Sequence, residues 1–228
     1  MITWLSKGDP PERFPAVARA LADPPGLLAA GGDLSCERLI AAYRRGIFPW
    51  YSAGQPVLWW SPDPREVLIP KEFHVSRSLA KALRKRGFEY CEDRDFGAVL
   101  AACAAPRGQS PGTWITDEMQ VAYLALHRQG IAHSCEIWRA GALVGGLYGV
   151  QLGRMFFGES MFSRERDASK AALAGLVRRC LEDGTALIDC QLASAHLRSL
   201  GSRPLPRSEF LARLALHCEG ALCRIRAP

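Results

Sequence analysis

At 228 residues, with 48% hydrophobic, 23% charged and 9% aromatic side chains, the chain has the composition of a globular protein with a sizeable core, and disorder is excluded. Its eight cysteines are scattered without a C-x-x-C pair, the closest two being Cys218 and Cys223, so they read as reduced structural thiols rather than a disulfide scaffold. A formal charge of +6 and a pI near 9.0 suit a polyanionic partner such as nucleic acid.

From Met1 to Phe14 the chain mixes charged residues with Pro10 and Pro11 and has no apolar stretch of the secretory kind. The longest mostly apolar run, Ala140 to Val150, contains four glycines and falls well short of the roughly 18 residues of a membrane span, so a cytoplasmic protein without membrane contact is expected. The first 64 residues are rich in Pro, Gly and Trp, and the rest of the chain alternates helix and strand patterns; the shift near Asp63-Pro64 predicts two units, 1–64 and 65–228.

In the first unit, Ser35 is placed to cap a short helix whose Cys36, Leu39, Ile40 and Tyr43 repeat at helical spacing, with Gly46 closing it. Next come two aromatic clusters, Phe48-Pro49-Trp50-Tyr51 and then Trp59-Trp60. In the second unit, Ser76 caps a basic helix to about Arg86, and Thr116 caps a longer one with an apolar stripe through Met119, Ala122, Tyr123 and Leu126. From His133 the period becomes two: turns at Ala140-Gly141 and near Gly153 predict a three-stranded meander ending in Met155-Phe156-Phe157. A helix over about 168–182 should bury Leu173, Leu176, Cys180 and Leu181 while exposing Lys170, Arg178 and Arg179, and Gly184 fits its C-terminal cap. A short strand over 186–191, a helix over about 208–216 and an edge strand over 221–225 complete the order.

Four constellations carry candidate chemistry. Phe157–Ser163 sets Glu159 and two serines among aromatic and thioether groups, which suits an apolar pocket with orienting polar groups, or a turn capping the next helix. Asp189 and Gln191 alternate on a strand and so should face one side, where a carboxylate and an amide could orient an amine and steady an oxyanion; a structural Asp at a loop start explains the pattern as well. Trp50, Trp59, Trp60 and Trp114 offer stacking surfaces, or are core residues. Lys71, Arg77, Lys81, Arg84, Lys85 and Arg86 form either a phosphate-contacting patch or a solvated helix face. The phosphate-loop, G-x-S-x-G and H-E-x-x-H signatures are missing, and His74, His127, His133, His196 and His217 lack metal-ligand spacing, which disfavours a nucleotide hydrolase or zinc enzyme.

Eight ordered blocks then carry a resemblance: GLLAAGGDLS (26–35), YRRGIFPWYS (43–52), LWWSPDPREVL (58–68), GTWIT (112–116), AYLALHRQGIAHSCEIW (122–138), LVGGLYGV (143–150), FFGESMFSRERDASKAAL (156–173) and LIDCQ (187–191). In these the chain closely resembles the leucyl/phenylalanyl-tRNA-protein transferase family. The resemblance implies an α+β fold, with an acetyltransferase-like (GNAT-like) C-terminal domain and a small N-terminal α/β domain. It implies transfer of Leu or Phe, and also Met, from leucyl-, phenylalanyl- or methionyl-tRNA to proteins beginning with Arg or Lys, creating an N-end-rule degradation signal, with no cofactor or metal. It places the 3′-terminal adenosine at Trp50 and Trp114. Leu147, Phe156, Met161 and Ile188 become the side-chain pocket, Glu159 its organiser, and Asp189 and Gln191 the catalytic residues, electrostatic or proton-relay and hydrogen-bonding respectively. Two departures stand out: Ser194 where many members have Asn, and Leu147 where some have Met, the latter a roughly volume-conserving exchange. An acyl-CoA-dependent N-acetyltransferase shares the suspected fold, but an [RQ]-x-x-G-x-[GA] loop is missing before Ala168; a non-catalytic RNA-binding module would leave GES and DCQ unexplained.

Overall fold

The computed structural model describes residues 2–106 and 113–218. In chain order the first elements are β1 (Thr3–Leu5), β2 (Leu27–Gly31), α1 (Cys36–Tyr43), β3 (Phe48–Pro49) and β4 (Leu58–Trp60). The strands form a small sheet in the order β1-β2-β4-β3, parallel only between β1 and β2. As expected, Ser35 caps α1 by accepting from the Arg38 N–H. The chain turns at Gly46, whose positive φ of 72° favours glycine.

The remaining elements are β5 (Arg65–Leu68), α2 (Arg77–Lys85), β6 (Glu89–Glu92), α3 (Phe96–Ala104), α4 (Asp117–Arg128), β7 (Ala132–Arg139), β8 (Ala142–Leu152), β9 (Met155–Ser163), α5 (Ala168–Asp183), β10 (Leu187–Gln191), α6 (Ala195–Arg198), β11 (Arg203–Leu205) and α7 (Arg207–Cys218). A second sheet of described strands runs β11-β5-β10-β9-β8-β7-β6, antiparallel except between β9 and β10. Ser76 and Thr116 cap α2 and α4 through their hydroxyls, as the sequence predicts, and Gly184 ends α5 in the left-handed conformation. The proposed strand over 221–225 lies outside the described residues.

Both faces of this sheet are covered. On one, Leu147, Phe156 and Ile188 pack with Leu173, Leu176 and Val177 of α5. On the other, Tyr148, Val150 and Phe157 join Val99, Met119 and Tyr123 from α3 and α4 in a core that continues through Tyr43 and Phe48 to Trp59 of the small sheet. Residue 145 is glycine because a Cβ there would overlap Ala168 at the start of α5.

Burial on both faces takes in charged groups, and two expectations are corrected. On β7, Glu136 is fully buried and accepts from the Asp95 N–H, the Ser134 hydroxyl and the Trp138 indole. Arg179 is buried rather than exposed, donating to Gln151 Oε1 at 3.1 Å over the Phe156 ring, while Leu181 is half exposed because it falls off the sheet-facing stripe. The third strand of the meander runs on to Ser163, so the Glu159 segment is strand rather than turn.

Candidate active site

Two irregularities in neighbouring strands build the site. On β9, Ser160 opposes Tyr148 and Gly158 opposes Gly149, which leaves Glu159 as the extra residue of a bulge. On β10, Asp189 opposes Val67 and Gln191 opposes Glu66, so Cys190 is inserted in the same way. Bulges re-aim the side chains around them. The two strands pair only from Met155 to Phe157 against Leu187 to Asp189, and the irregular segments lie just beyond that pairing.

A cavity of about 850 Å³ opens there, lined among others by Trp114, Leu147, Glu159, Met161, Ile188 and Gln191. A smaller recess of about 230 Å³ adjoins it through Trp114, Glu159, Cys190 and Gln191 and is walled by Phe48, Pro49 and Trp50. Trp50 is 40% exposed, and its carbonyl accepts from the Trp60 indole at 2.6 Å, with the two rings 5.6 Å apart. Thus the structure gathers seven of the nine candidate residues around one divided space.

The other two lie beneath it. Phe156 is fully buried against α5, supporting the cavity floor without lining it. Asp189 is also fully buried and does not line the cavity; its oxygens accept from Arg65 Nε at 2.8 Å and Nη2 at 2.7 Å. The inserted Cys190 and the left-handed φ of 55° at Gln191 break the alternation, so the expectation that Asp189 and Gln191 share one side is corrected. They remain linked through the backbone, the Gln191 N–H donating to Asp189 Oδ1 at 3.0 Å. Gln191 Nε2 is shielded and has no partner among the described residues.

Glu159 has a different environment. Tyr43 donates to its Oε1 and Tyr123 to its Oε2, each at 2.7 Å, and the two hydroxyls also contact each other. Two hydroxyl protons cannot fill three oxygen–oxygen contacts; a protonated carboxyl completes the ring by donating to one tyrosine, which donates to the other, which donates back to the carboxyl. Burial accordingly pushes Glu159 up to about 7, against the lowering effect of the two hydroxyls. Its proton is available to chemistry near neutrality.

Sequence reasoning did not single out Tyr43, Tyr123 or Arg65 as site residues. The available signals were a charged residue opening a buried strand at Arg65 and the two tyrosines on apolar helix faces. Ser194, which stands where many members of the resembled family have Asn, lines the cavity and spends its hydroxyl capping α6 through the Leu197 N–H at 3.1 Å. His196 also lines the cavity, with Nε2 shielded and unpartnered among the described residues; burial and Lys170 lower its pKa. Among the described residues no group of three or more His, Cys, Asp or Glu side chains could hold a metal ion, and no helix is long and apolar enough to cross a membrane.

Two family models match in tandem: leucyl/phenylalanyl-tRNA protein transferase over residues 67–215, and the N-terminal domain of the same family over residues 32–63. The chain belongs to the leucyl/phenylalanyl-tRNA protein transferase family. It is 60% identical over 210 residues to the leucyl/phenylalanyl-tRNA–protein transferase of Pseudomonas paraeruginosa (strain DSM 24068 / PA7), covering 92% of each chain. It is 57% identical over 219 residues to that of Pseudomonas entomophila (strain L48), covering 96% of each. The Azotobacter vinelandii relative is 60% identical over 206 residues, covering 90% of this chain and 91% of its own. Among solved structures, a GCN5-related N-acetyltransferase from Kribbella flavida has a TM-score of 0.40 and 13% identity over 72% of this chain and 58% of its own. Family membership rests on the sequence matches, and the span of the larger family model, residues 67–215, contains the bulged strands of the site.

Proposed function

We propose that this aminoacyltransferase moves leucine or phenylalanine, and also methionine, from its tRNA to the N-terminal Arg or Lys of acceptor proteins, creating an N-end-rule degradation signal in the cytoplasm. Its family makes it an enzyme that transfers an aminoacyl group from tRNA to protein. The observation that carries the finer reading is the divided cavity. An apolar chamber with Leu147, Met161 and Ile188 meets, at Glu159 and Gln191, a recess walled by Trp50 and Trp114. An aminoacyl-adenosine end has the same two-part chemistry, a side chain to bury and a base to stack.

In this reading the acceptor amine attacks the ester carbonyl at the junction. A C–N bond forms, the C–O bond to the ribose breaks, and the amine's proton leaves with the ribose oxygen. The ester is already activated, so positioning and hydrogen bonding supply most of the catalysis. Gln191 is the hydrogen-bonding residue at the reacting centre, and Asp189, out of contact with the cavity, lies below it and acts on it through the Gln191 N–H that it accepts. Residues 1–64 and 65–228 are taken as the two units, in keeping with a small sheet ending at Trp60 and a large one starting at Arg65.

The test is transfer of labelled leucine, phenylalanine or methionine from tRNA to proteins differing only in their first residue. Label should reach Arg- and Lys-initiated acceptors and not Ala- or Glu-initiated ones. Equal labelling of all acceptors would remove the stated specificity, and no labelling would remove the function.

A further inference from the structure

Arg65 sits at a crossing of elements far apart in the chain. Besides holding Asp189 with two parallel hydrogen bonds, it donates through Nη1 to the Gly46 carbonyl at 3.1 Å. Its guanidinium lies between the Phe48 and Phe210 rings, 4.7 Å and 4.8 Å from their centroids. The fork is therefore fixed by β3, α7 and the turn after α1, and it is almost completely buried.

The pair below the cavity meets a cost above it. Gln191 is a non-glycine residue at φ 55°, a conformation that costs an L-residue a measurable fraction of fold stability. Its N–H is captured by Asp189 Oδ1, the same oxygen that Arg65 Nε holds. A hydrogen bond to a charged acceptor fixed in place is the kind of contact that offsets such strain.

We propose that Arg65 is a positioning residue for the transfer reaction: by clamping Asp189 it holds the Gln191 backbone left-handed and the amide in the cavity. Asp189 then acts through the backbone it shapes. Buried, with no face on the cavity and three hydrogen bonds committed to Arg65 and the Gln191 N–H, it lacks the access to substrate that a proton relay needs. This rests on the aminoacyl-transfer reading for its kinetic consequence, whereas the clamp itself is a property of the folded chain.

The experiment compares Arg65→Gln, Asp189→Asn and the two substitutions combined. Each single change leaves one buried charge without its counter-ion; the combined change keeps a neutral amide pair in which Oδ1 of residue 189 still accepts the Gln191 N–H. Each single variant should lose about 100-fold in kcat, the scale of a displaced catalytic group, with the KM for aminoacyl-tRNA changed less than about threefold. The combined variant should recover to within about tenfold of the parent rate. A folded combined variant no faster than the slower single one would overturn the proposal and assign Asp189's charge a direct part in the chemistry.

Amide hydrogen exchange at Gln191 supplies the second readout: slow in the parent and combined proteins, fast in the singles. Fast exchange in the parent would also sink the clamp. If the singles fail to fold, Arg65→Lys, which keeps the charge and loses the fork, should still lower kcat and speed Gln191 exchange; parent-like values of both would be contrary. A parent protein that transfers nothing while showing slow Gln191 exchange would instead remove the transferase reading and leave the clamp standing.

Discussion

Two carboxylates meet near one cavity, and the protein treats them oppositely. Asp189 is wholly enclosed but faces a guanidinium fork held between aromatic rings. Glu159 reaches the cavity, its hydrogen-bond partners among the described residues are the hydroxyls of Tyr43 and Tyr123, and burial moves it up to about 7. The partners differ more than the depth does. An arginine offsets desolvation with a full charge, whereas two hydroxyls return only part of it. The two sites also sense each other, since Asp189 raises Glu159 and Arg65 lowers it.

The largest effect should come from destroying the compensated half. Asp189→Ala strands the buried Arg65 guanidinium and should cost about 3–5 kcal/mol in urea denaturation, with kcat falling more than tRNA affinity. A loss below about 1 kcal/mol would mean that the pair is not the counterweight its geometry suggests.

Neutralising the uncompensated half should act in the opposite direction. The folded pKa of Glu159 is raised from 4.5 to about 7, so the native state binds more protons between those values. Its contribution to stability is fully present below about pH 4.5 and is lost as pH rises through about 7. Glu159→Gln should remove that slope and leave the variant more stable than the parent at pH 8, by about 3 kcal/mol, with no gain at pH 4. Thermal melts at the two pH values measure this, and a parallel shift at both would contradict it.

A smaller change is expected from thinning the hydroxyl ring. Tyr123→Phe should cost about 1 kcal/mol and raise the Glu159 midpoint, because the lost hydrogen bond favours the ionised form. A carboxyl-carbon NMR titration reads the midpoint directly; a downward move would be inconsistent with donation by the tyrosine. Smallest of all is the cross-talk. Asp189→Asn should lower the same midpoint by under about one unit, since it removes a like charge, and an unchanged midpoint would separate the two sites.

Much of the fold was legible because its signals are local. Ser35, Ser76 and Thr116 each cap the helix that their spacing announced, and the period-two stretch from His133 became adjacent antiparallel strands. Burial was less legible: Arg179 read as a surface residue, yet α3 and α5 cover both faces of the sheet, and charge pattern alone does not show where another layer will land. In the site, the aromatic and apolar lining was marked by the motif blocks, while the position of Asp189 was not. Period-two reasoning put it beside Gln191, and an inserted Cys190 with a left-handed Gln191 sent the pair to different levels.

What the sequence by itself determined was therefore the capped starts of α1, α2 and α4, the meander, the family and the residue types around the cavity, since caps, turns and periodicity act over a few residues. Only the tertiary structure decided which charges are paired. Arg65 finds Asp189 across 124 residues and Tyr43 finds Glu159 across 116, contacts for which no local rule exists. They form because layer packing closes those distances, and with them it settles that one carboxylate is clamped by a cation while the other is left to hydroxyls.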